Sequence, residues 1–169
     1  MKKLIAIVCA ILMVLGLVLY AENIMQEDNH RIQDTVTWPE NLGTKTIRYD
    51  VLADLLEKEL GDSAVIIVLD ATYTLIDENK LREALRADKT SESTYIPNSF
   101  DCDDFAFVLW RNLTGRYGLI ALGVIIISFG DKSHVANFFI DEDLEFHYLE
   151  PQSDLIDPIY IGTPLVVII

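Results

Sequence analysis

FDCDDFAFVLWRNL, residues 100–113, is the stretch on which the reading of this chain turns. Cys102, Phe105, Ala106, Leu109 and Leu113 fall at offsets of 0, 3, 4, 7 and 11, one stripe of a helix with a period of 3.6. Asp101 or Ser99 caps it, Arg111 stands in its last turn and Gly115 lies past its end, which predicts a helix from near Cys102 to Leu113. The stripe puts Cys102 in the first turn of the face that packs on the rest of the domain.

Working outward, three apolar runs of strand length follow, at 121–129, 134–140 and 145–150, separated by the turn-forming GDKS and DED segments. A last run, 164–169, is one more strand. On the N-terminal side, Val51, Leu52, Leu55, Leu56 and Leu60 recur at helical spacing before Gly61. SAVIIVL, 63–69, is a short β-branched run, and DENKLREALRA, 77–87, reads as a surface helix capped by Asp77. Residues 88–100, rich in Ser and Thr, form a loop. Helices first and an antiparallel meander after them predict an α+β fold whose central helix, bearing Cys102, packs on an antiparallel sheet.

The first 21 residues are set apart from that fold. Lys2 and Lys3 precede an unbroken apolar run from Leu4 to Tyr20, the pattern of a signal anchor, a transmembrane helix, or a cleaved signal peptide. Either way the positive end stays inside and the remainder lies outside the membrane, anchored or secreted. Residues 22–44 read as a linker, and 45–169 as a single hydrolase-like domain. Oligomeric state is not encoded in any pattern here.

Charge and cysteine usage narrow the classes further. The 13 basic residues less Lys2 and Lys3 leave 11 against 27 acidic ones, about −16 for the exported part, which excludes nucleic acid as a partner. Cys9 lies in the leader, so Cys102 has no partner within the domain and is either a buried, inert thiol or a reactive one. No cofactor and no metal are expected, since Asp101, Asp103 and Asp104 lack the glycine and downstream glutamate of a calcium loop.

A thiol at a helix N-terminus is favoured as the thiolate by the unpaired N–H groups, while the three aspartates around it act in the opposite direction. A reactive Cys102 therefore needs a cationic partner. His134 opens a strand whose alternate positions, Ala136, Phe138 and Ile140, are apolar. If Asp141, Glu142 and Asp143 form the next hairpin loop, opposed residue numbers sum to 284 and His134 faces Glu150. Cys102, His134 and Glu150 would then be nucleophile, base and orienting carboxylate. Asn137 and Asp141 are alternative orienters on the opposite face. Asn98 is a weak candidate for a second oxyanion donor beside the Cys102 amide, Gln152 a weak candidate for lining the site, and His147 a surface residue.

FDCDDFAFVLW, SHVANFFID (133–141) and YLEPQ (148–152) together resemble the Cys, His and acidic motifs of the papain-like/transglutaminase-like cysteine peptidase superfamily. They are similar in particular to the C-terminal domain of a fungal agglutinin and related phage and prokaryotic proteins. The resemblance covers about 95–152 and carries over to Cys102, His134 and Glu150. It implies a cysteine hydrolase or acyltransferase acting on a peptide or amide through a thioester. Asp103 and Asp104 depart from the small residues that follow the cysteine in cell-wall peptidases, which weighs against peptidoglycan as substrate. The alternative is a catalytically inactive binding or structural module on the same fold.

Overall fold

In the computed structural model, which describes residues 37–169, four of the five stripe residues of the central helix are buried as their spacing demands, and Cys102 at its start is partly exposed. Phe105, Ala106, Leu109 and Leu113 are each at most 1% exposed. The elements run β1 (Thr46–Arg48), α1 (Tyr49–Leu60), β2 (Val65–Ile67), β3 (Thr72–Thr74), α2 (Glu78–Ala87), a single 3-10 turn (Thr90–Glu92), α3 (Cys102–Tyr117), β4 (Leu122–Ser128), β5 (Ser133–Ile140), β6 (Phe146–Glu150), β7 (Leu155–Ile156) and β8 (Thr163–Ile168). The fold is α+β, with three α-helices among the described residues and a mostly antiparallel sheet.

That sheet has six strands in the order β2-β8-β4-β5-β6-β7, with β2 and β8 parallel and every other pair antiparallel. β1 and β3 make a separate two-stranded sheet. Helices cover both faces. Leu52, Leu56 and Leu60 of α1 pack with Ile125, Ile127, Ala136, Phe138, Ile140 and Val167. Leu109 and Leu113 of α3, with Leu81, Ala84 and Leu85 of α2, pack against Leu122, Phe139 and Leu149. The nearly continuous apolar run of β4 and the Phe138–Ile140 end of β5 follow from this, because a strand buried on both faces has no polar side to show. Each fully buried Leu, Ile or Phe contributes about 1.5–3 kcal/mol.

Local signals set the helix ends. Asp77 caps α2 by accepting from the Asn79 and Lys80 amides. Asp101 and Asp104 form a reciprocal capping box at the start of α3. The helix passes Gly115 and stops at Gly118, whose φ of 78° suits glycine. Gly115 is tolerated inside because tertiary packing outweighs the roughly 1 kcal/mol cost of a helical glycine.

The β5–β6 register differs from expectation. Phe138 pairs with Tyr148 and Asn137 with Leu149, so opposed numbers sum to 286. The turn is longer than DED, closing with the Asp141 amide on the Glu145 carbonyl at 3.1 Å. A two-residue slip preserves facing, so Glu150 stays on the side of His134. Leu42, in the stretch read as linker, is 1% exposed and belongs to the core. The leader or transmembrane reading falls on residues outside those described. Among the described residues no helix is long and apolar enough to cross a membrane.

Candidate functional site

β5 and β6 hold His134 and Glu150 on the face that carries Ala136, Phe138 and Tyr148. His134 Nε2 lies 2.7 Å from Glu150 Oε2, and the two side chains are 23% and 16% exposed. Tyr160 donates its hydroxyl to the same Oε2 at 2.8 Å, and the Gln152 amide donates to Oε1 at 3.1 Å. Burial raises the Glu150 pKa, but the bonds from His134, the Gln152 amide and Tyr160 outweigh it and hold the carboxyl below its ordinary value. Tyr160 is pushed well above the tyrosine range by burial and by the carboxylate it faces.

An aromatic ladder backs this cluster. The Tyr160 ring meets His134 at 5.6 Å and Tyr148 at 5.0 Å, Tyr148 meets Phe146 at 4.9 Å, and Phe146 stacks on Phe138 at 5.3 Å. Tyr160 escaped the sequence reading because DPIYIG, 157–162, has no period and lies outside any regular element.

Cys102 sits in the first turn of α3, partly exposed. Its sulfur lies within 4.8 Å of carboxylate oxygens of Asp101 and Asp103 and makes no hydrogen bond to His134 or Glu150. The structure thus bonds two of the three named residues to each other and leaves the thiol outside that network. Asp101 is held below its ordinary value by hydrogen bonding with Asp103 and the Asn98 amide, and Asp103 is raised by the same contact. Tyr95, half-exposed, stacks on Phe105 at 6.5 Å, and desolvation followed by Asp101, Cys102 and Asp103 raises its pKa. Asn98 adopts a φ of 59° in the turn before the helix, with its amide 2.9 Å from Asp101 Oδ2.

Neither alternative orienter approaches His134. Asn137, wholly buried, donates from Nδ2 to the Ala106 carbonyl at 3.0 Å and the Gly123 carbonyl at 3.1 Å, tying α3 to the sheet one turn after Cys102. Asp141 caps the β5–β6 turn by accepting from the Asp143 and Glu145 amides. His147 lies on the face opposite Glu150, as expected, but its side chain is only 12% exposed instead of lying on the surface. It stacks on Phe139, and that contact and Asp157 enclose it.

No protein-family model matches the sequence, and no curated protein matches it. Solved structures do share the fold. The chain superposes on the Polyporus squamosus lectin PSL1a in its E64 complex with a TM-score of 0.66 and 15% identity, over 73% of this chain and 51% of that one. It superposes on Polyporus squamosus lectin bound to the human-type influenza-binding epitope Neu5Aca2-6Galb1-4GlcNAc with a TM-score of 0.59 and 18% identity, over 73% and 49%. The chain therefore spans about half the length of these structures.

Both neighbours are lectin structures, and this corrects the family reading. The papain-like/transglutaminase-like peptidase assignment, the hydrolase or acyltransferase function drawn from it and the peptide or amide substrate are withdrawn. Short Cys, His and acidic motifs led there because a helix-start cysteine and a strand histidine are features of a fold as much as of a chemistry.

Proposed function

We propose that this chain is a non-catalytic binding module for a carbohydrate, its contact surface gathered at the start of α3. The observation that carries the reading is Tyr95, its ring half-exposed and stacked on Phe105 beside the Asp101 and Asp103 carboxylates. An exposed aromatic face packs against the C–H face of a sugar ring, and adjacent carboxylates accept its hydroxyls. Likeness to lectin structures supports the class of ligand. The formal charge of −14 favours a neutral glycan over a sialylated one, since an anionic sugar would meet repulsion at Asp101 and Asp103. Asn98 and Cys102 border the same surface. The His134–Glu150–Tyr160 cluster serves the fold, with Gln152 closing it. Lys2, Lys3 and the apolar run after them support a place outside the membrane for the domain.

The test is calorimetric titration with neutral and sialylated oligosaccharides, comparing the wild type with Tyr95→Ala. The expected result is saturable binding of a neutral glycan that the substitution weakens by at least tenfold while Tm stays within a few degrees. Binding indifferent to Tyr95, or preference for the sialylated panel, overturns the surface. Alkylation of Cys102 by iodoacetamide much faster than a free thiol, and dependent on His134, overturns the non-catalytic reading itself.

A further inference from the structure

The β5–β6 turn gathers a second set of polar side chains, on the opposite sheet face from Glu150. Asp141 spends Oδ1 on the Asp143 and Glu145 amides at 2.9 and 2.8 Å, which leaves Oδ2 free to face His147. His147 Nδ1 lies 2.9 Å from Asp157 Oδ2, while Asp157 Oδ1 accepts the Tyr148 amide at 3.1 Å. Asp157 is therefore fixed at both oxygens, and where it accepts from Nδ1–H the imidazole is left with its lone pair on Nε2, the atom that faces Asp141. That Nε2 is buried without a hydrogen-bond partner. Such an atom costs about 1–3 kcal/mol when nothing satisfies it.

We infer that Asp141, Glu145 and His147 form a site for a divalent transition-metal ion, zinc by the character of its donors. One ligand atom from each residue lies within 4.8 Å of the others. The orphaned Nε2 points the set at a ligand, standing 3.4 Å from Asp141 Oδ2. Two donors each about 2.1 Å from a tetrahedral zinc lie about 3.4 Å apart, so a metal fits where a hydrogen bond is too long. One imidazole and two carboxylates leave a fourth position for water, and Asp157 behind the imidazole is the outer-shell carboxylate that such ligands use. The ion would clamp the β5–β6 turn, independently of the surface at α3.

The experiment is isothermal titration of zinc chloride into the untagged, chelator-stripped full chain carrying Cys102→Ser, which removes the thiol of the separate Asp101–Cys102–Asp103 group as a competing ligand. One saturable site is expected, with a rise in Tm on loading. Glu145→Gln, at an exposed position that leaves folding unaffected, should weaken zinc binding at least tenfold, His147→Gln should abolish it, and Asp157→Asn should cost about 10- to 100-fold. Cobalt in place of zinc should give the visible absorption of a four-coordinate centre that Glu145→Gln diminishes. No saturable zinc binding, or binding that both Glu145→Gln and His147→Gln leave unchanged, overturns the site.

Discussion

Replacing Glu150 by Gln should cost about 2–4 kcal/mol at neutral pH, and the cost should shrink in acid. The carboxylate serves three donors, His134 and Tyr160 on one oxygen and the Gln152 amide on the other. A hydrogen bond to a charged group is worth about 1.5–3 kcal/mol net, and an amide in its place keeps one acceptor while turning an N–H2 group towards the other donors. One to two charge-assisted bonds are lost. With side chains 23% and 16% exposed, solvent screening takes little from that figure. The carboxyl's folded pKa is depressed below the unfolded value of about 4.3, so the folded state binds fewer protons there. Its stabilisation is complete above that value and is lost as pH falls through the folded pKa. Urea unfolding followed by tryptophan fluorescence at pH 7, 5, 4 and 3 measures both quantities. At pH 7 the midpoint should drop by roughly 1–2 M for a slope of about 1–3 kcal/mol/M. A difference under about 0.5 kcal/mol at pH 7, or one that stays constant down to pH 3, refutes the reasoning.

Gly123→Ala should destabilise the domain by about 3 kcal/mol or more, because the added Cβ would strike the Ile168 carbonyl and the Phe138 ring, neither of which has room to retreat. Thermal unfolding measures this, and a Tm within 2 °C of wild type would show that the strand relaxes. Asp77→Ala removes the acceptor of the Asn79 and Lys80 amides and should cost about 1 kcal/mol, read as a lower urea midpoint at unchanged slope.

Much of this architecture is legible because it follows from period and punctuation. α2 and α3 announce themselves through Asp77, Asp101 and a stripe of large apolar residues, and β4, β5 and β6 through apolar runs cut by short polar turns. β1 and β3 are not legible, since three residues each hold no measurable alternation and depend on pairing with each other. The partners of β8 were out of reach for a related reason: its parallel neighbour β2 lies about a hundred residues away, and no local signal encodes that closure. At the site, the His134–Glu150 contact was reachable from alternation alone, because facing survives a two-residue register error. Tyr160 and Asp157 were not, as both arrive on the irregular segment between β7 and β8. The helix stripe correctly turned Phe105 and Leu109 inward, yet a stripe says nothing about what the first-turn thiol bonds to, and Cys102 makes no hydrogen bond to the imidazole.

The sheet's edges bear on how such a module would meet a partner. β2 has three residues and β7 two, and an edge so short offers few free N–H and C=O groups to an added strand. The Tyr148 amide, on the side where β6 meets β7, is already taken by Asp157. Recognition by strand addition is thereby blunted at both ends of the sheet, and the flat faces are covered by α1 on one side and by α2 and α3 on the other. Among the described residues, what remains for contact is loop surface and the outer faces of the helices. The 3-10 turn at Thr90–Glu92 is tied to the β6–β7 turn through the Ser91 hydroxyl on Asp154 at 2.7 Å and to α3 through Asp88, which accepts from the Thr90 amide and from Asn112. Beyond it the Ile96 and Phe100 amides bond each other's carbonyls at 2.8 Å and Tyr95 stacks on Phe105, so this loop reaches a partner with part of its ordering cost already met.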